Sequence, residues 1–69
     1  MIVEVFKTNV DCYKEAGLLT ALCKQFPGFR INFDLEDCDR ILRVQGKDIS
    51  TEEIIRLLND YDCFCEPLE

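Results

Sequence analysis

The sequence predicts an α+β sandwich, with four strands in one antiparallel sheet and two helices on a single face of it. Three observations predict this. Short runs alternate apolar and polar residues, two longer stretches repeat apolar residues every three or four positions, and the two kinds follow one another in the order βαββαβ. A chain of 69 residues makes one small domain, expected over 1–67, and a domain of that size buries only ~60% of the surface its unfolded chain exposes.

The elements follow in order. Ile2-Val3-Glu4-Val5-Phe6-Lys7 is the first strand, with Val3 and Val5 on one face and Ile2, Glu4 and Phe6 on the other. Asp11 is placed to cap the next helix, where Ala16, Leu19, Leu22, Cys23 and Phe26 mark the face expected to be buried. Gly17 weakens that helix and suits a close approach, and Pro27-Gly28 ends it. Phe29, Ile31, Phe33 and Leu35 alternate with Arg30, Asn32 and Asp34, which is the clearest strand signal in the chain. Glu36-Asp37-Cys38-Asp39 is a polar turn, and Ile41, Leu42 and Val44 complete a hairpin. Gly46-Lys47-Asp48 breaks the chain again. Ser50 and Glu53 then form a capping box, flanked by an Ile49–Ile54 staple, with Ile54, Leu57 and Leu58 as the buried face of the second helix. Cys63-Phe64-Cys65-Glu66 is expected as a short last strand, and Leu68-Glu69 reads as a cloning remnant without function. Both helices can cover one face of a sheet with strand order 4-1-3-2, the ferredoxin-like arrangement.

Composition excludes several functions. A net charge of −6 opposes nucleic acid, whose backbone demands clustered Lys and Arg, and opposes anionic membrane surfaces. It suits a basic partner face. No apolar run reaches membrane-spanning length and no export signal is visible, so a cytoplasmic protein is expected. Five cysteines in an odd count do not match a secreted disulfide scaffold, and they read as free thiols. Three of them are expected to fill the core, leaving Cys12 and one other open to a role. With no histidine, the commonest neutral-pH base is absent.

Lys7-Thr8-Asn9-Val10-x-Cys12 opens the first helix. Phe26-Pro27-Gly28-Phe29, Asp39-Arg40-Ile41-Leu42-Arg43-Val44 and Gly46-Lys47-Asp48-Ile49-Ser50 follow at consistent spacing. This series resembles the heavy-metal-associated (HMA) domains, the copper-chaperone family, over nearly the whole chain. The family's loop carries C-x-x-C, and two thiolates hold Cu(I) or, with help, Zn(II). Here the motif is degenerate, since Cys12 occupies the first cysteine position and Glu15 the second. A carboxylate is a harder ligand than Cu(I) prefers, and Glu15 also fits as an ordinary first-turn acid beside the helix N-terminus.

Topology suggests how other thiols could compensate. The first loop, the hairpin and the last turn share one end of such a sheet, and Cys12, Cys38 and Cys63 lie in or beside them. The expected metal ligands are therefore Cys12, then Cys63, Cys38 and Glu15, with Cu(I) or Zn(II) as the ion. In the family a residue near Cys63 tunes the metal site, although Cys63 and Cys65 share a strand face and also suit the core. Catalysis is not expected, because the phosphate loop of small phosphatases of this fold is missing and Cys12 has no histidine base. The alternative to metal handling is a metal-free interaction module. Its partner would meet either the Cys12 loop, marked by Tyr13, or an open sheet face bearing Phe6, Ile41 and Phe64.

Overall fold

The structure is a computed structural model, and it describes residues 2–36 and 38–68. Asp37 of the expected polar turn and Glu69 of the terminal pair lie outside the described residues. The elements are β1 (Ile2–Thr8), α1 (Cys12–Gln25), β2 (Arg30–Asp34), β3 (Ile41–Gly46), α2 (Thr51–Asp60) and β4 (Cys65–Pro67). They form one four-stranded antiparallel sheet in the order β2-β3-β1-β4. This is the ferredoxin-like βαββαβ fold, with the strand order the sequence predicts. No helix among the described residues is long and apolar enough to cross a membrane.

Local signals account for most boundaries. Asp11 accepts hydrogen bonds through Oδ1 from the amides of Tyr13 and Lys14, so it is the α1 cap. The Ser50 hydroxyl accepts from the Glu53 amide and caps α2. β4 starts two residues later than expected. Cys63 is claimed by the end of α2, and the Phe64 amide donates to a side chain in the β1–α1 loop and not to a neighbouring strand. The Leu68 amide donates to the Val5 carbonyl at 2.8 Å, extending the β1–β4 pairing past Pro67.

The core lies between the sheet and the helices, built on Phe6, Val10, Leu18, Leu22, Leu42, Val44, Ile54, Leu58, Cys63 and Cys65. Two expectations change here. Phe6 is fully buried, so it cannot belong to an open-face patch with Ile41 and Phe64. Its register partner is Leu42, whose phase along β3 also carries Val44 into the core. Because side chains alternate, Lys7, Ile41 and Arg43 take the other face. The second change is on α1, which buries Leu18 and Leu22, whereas Ala16 and Cys23 are exposed and Leu19 is half-buried. Gly17 also makes no close approach, since a Cβ built there meets nothing within 4 Å.

Candidate functional site

The β1–α1 loop sits between the two other connections at its end of the sheet, and named hydrogen bonds hold it there. On one side the Thr8 amide donates to the Asp39 carbonyl at 3.1 Å, and the Thr8 hydroxyl donates to the Arg40 carbonyl. The Arg40 guanidinium returns a bond from Nη1 to the Val10 carbonyl at 2.8 Å. On the other side the Phe64 amide donates to Asn9 Oδ1 at 2.7 Å, and Lys14 Nζ donates to the Tyr61 carbonyl at 3.5 Å. Within the loop, the Val10 amide donates to Thr8 Oγ1 at 3.2 Å while the Val10 side chain is fully buried. The predicted meeting of three connections is therefore present.

Thr8, Asn9 and Arg40 belong to the sequence motifs, which by themselves assign them no structural role. Each braces the loop. Among the described residues Thr8 is the buried polar one, and its hydroxyl is both donor and acceptor. Arg40 adopts a left-handed backbone, φ 46°, as it turns into β3. That conformation is unfavourable for a side-chain-bearing residue, and here it brings carbonyl and guanidinium to the same loop. Fixed loop-to-loop bonds of this kind leave only a spacing pattern in the sequence.

The predicted ligands fare differently. Cys12 is the first residue of α1 and is exposed. Glu15 is half-buried in the first turn, where a negative charge is favoured by the helix N-terminus. Cys38 is exposed in the β2–β3 connection. Cys63 is buried, and its Sγ donates to the Tyr61 carbonyl at 3.5 Å. Among the described residues, no group of three or more His, Cys, Asp or Glu side chains is arranged to hold a metal ion.

All five cysteines are free thiols, but only Cys63 and Cys65 are buried. The expectation of three core cysteines fails at Cys23, which the placement of α1 leaves in solvent. Burial, and next the nearby Cys63, push the Cys65 thiol from 9.0 up to about 12. Cys65 is thus a neutral, inert thiol at physiological pH.

Exposed aromatic residues lie on the segments that meet at the braced loop. Tyr13, beside Cys12, is 90% exposed, and Tyr61 and Phe64 of the α2–β4 turn are 48% and 46% exposed. Lys14 and Asn9 tether that turn to the loop, so the three rings share one end of the molecule. Ile41, by contrast, is buried, and its strand neighbour Lys7 is ion-paired to Asp39 at 3.8 Å. Compared with family models, curated proteins and solved structures, the chain matches none.

Proposed function

We propose that this chain is a relative of HMA domains that works as a metal-free protein-interaction module, meeting its partner at the Cys12 loop. The observation that carries the reading is the grouping of exposed Tyr13, Tyr61 and Phe64 around a loop fixed from both sides. Exposed aromatics supply large contact area at low entropic cost and dominate interface energetics. A partner held by the wild-type chain and weakened at least about tenfold by Tyr13→Ala, with the circular dichroism spectrum unchanged, supports the reading. Partners retained in full by both Tyr13→Ala and Phe64→Ala overturn it.

A second reading rests on the exposure of Cys12 at the head of α1. In it the loop takes a soft ion, Cu(I) or Zn(II), by thiolate capture and passes it on by ligand exchange. Cys38 is the more accessible second thiol, because Cys63 would have to leave the core; Glu15 could only supplement. Anaerobic titration of the reduced protein against a competing chelator decides this. Stoichiometric binding lost in Cys12→Ser favours metal handling, and identical behaviour of the two proteins removes it.

A further inference from the structure

The sheet has two edges, and they are not alike. β4 is three residues long and includes Glu66 and Pro67, and proline brings no N–H to pair. A short, charged, proline-bearing edge resists strand addition. β2 is five residues long, Arg30-Ile31-Asn32-Phe33-Asp34, and has β3 on one side only. Its charges do not blunt it in the same way, because one end is positive and the other negative.

That order is self-complementary. When two β2 strands run antiparallel about a twofold axis at Asn32, Arg30 of each copy lies opposite Asp34 of the other, and Ile31 lies opposite Phe33. Opposed residues in an antiparallel pair project to the same face. Both charge pairs therefore form on the open face of the sheet, and both apolar pairs on the helix face. Arg30 and Asp34 are exposed, and within the described chain neither is engaged in an ion pair. Beside this edge, on the helix face, runs a shallow groove lined by Leu19, Thr20, Cys23, Lys24 and Ile31. It follows the apolar stripe of α1 that the domain leaves unburied.

We propose that a second copy of this chain adds to the β2 edge, antiparallel about a twofold axis at Asn32, to give one continuous eight-stranded sheet. The same axis lays the groove of one copy against the groove of the other. The contact is separate from the Cys12 loop and leaves that end of each copy free. One short strand pair and a strip of helix lie at the small end of specific interfaces, so the dimer is weak and concentration-dependent. The net charge of −6 per chain opposes association at long range, a repulsion that salt screens.

The test is sedimentation of the reduced protein over a micromolar-to-millimolar concentration series, with the reductant excluding disulfide-linked pairs. The expected weight-average mass climbs from 8.1 kDa towards twice that value. Arg30→Asp alone, or Asp34→Arg alone, sets like charges opposite each other at both symmetric positions and weakens the dimer roughly tenfold or more. Mixing the two single variants restores association, because each then faces its complement, and the double variant Arg30→Asp/Asp34→Arg restores it in one chain. Both positions are exposed, so the fold tolerates the changes, and circular dichroism checks this. A mass fixed at 8.1 kDa, a dimer indifferent to the single reversals, or a mixture that fails to recover each overturns the proposal.

Discussion

At Gly46 a single methyl group is enough to collide. A Cβ there would lie 2.4 Å from Cδ1 and 2.9 Å from Cε1 of Phe29. The Phe29 ring cannot swing away freely, since it stacks on Phe26 with centroids 5.3 Å apart and planes 7° from parallel. Gly46→Ala is therefore expected to destabilise the fold by about 1–3 kcal/mol, the usual cost of overpacking. Urea denaturation measures it, and Gly46→Ala/Phe29→Leu should recover part of the loss. An unchanged midpoint in the single variant would show the ring to be free. Nothing in the sequence marks this glycine apart from Gly17, which faces open space. The sequence marks Gly46 only as part of a break, because the contact that matters comes from a residue across the hairpin.

The end of α2 is a Schellman motif, and it decides where Cys63 goes. The Cys63 amide donates to the Leu58 carbonyl at 2.9 Å and the Asp62 amide to the Asn59 carbonyl at 3.0 Å. Asp62 holds the left-handed position, φ 60°, that glycine usually fills. Cys63 follows as the apolar residue of the motif and is buried with Leu58. Asp62→Gly should raise stability by about 1 kcal/mol, a rise in Tm of about 4–8 °C for a domain this size; a fall would mean that the carboxylate does more than tolerate its backbone. The start of each helix was legible because Asp11 and Ser50 are capping residues. The buried face of α1 was not. Two apolar stripes overlap on it, one through Leu18, Ala21 and Leu22 and another through Leu19, Leu22 and Cys23, and periodicity cannot choose between stripes that share Leu22. Packing chose the first and left Cys23 outside.

Over the whole molecule, the element order was enough to give the sheet topology and the end at which three connections meet. It could not give the phase of β1, on which the burial of Phe6 depends, nor the long Arg40–Val10 reach that fixes the candidate site. The burial of Cys65, and next the nearness of the Cys63 thiol, carries a consequence for pH. The Cys65 pKa is 9.0 for a free thiol and about 12 when folded. Between those values the folded chain keeps a proton that the unfolded chain has lost, so the stability from the neutral thiol is complete below pH 9 and drains away as pH rises towards 12. Denaturation midpoints should fall across that window, and Cys65→Ala should flatten the fall relative to wild type; parallel curves would contradict it. The bracing of the Cys12 loop has a further consequence, for the thermodynamics of recognition. Its backbone is already fixed by Asp39, Arg40 and Phe64, so the entropy of ordering it is charged to folding. Whatever docks there meets a preorganised surface and keeps more of its contact energy as affinity.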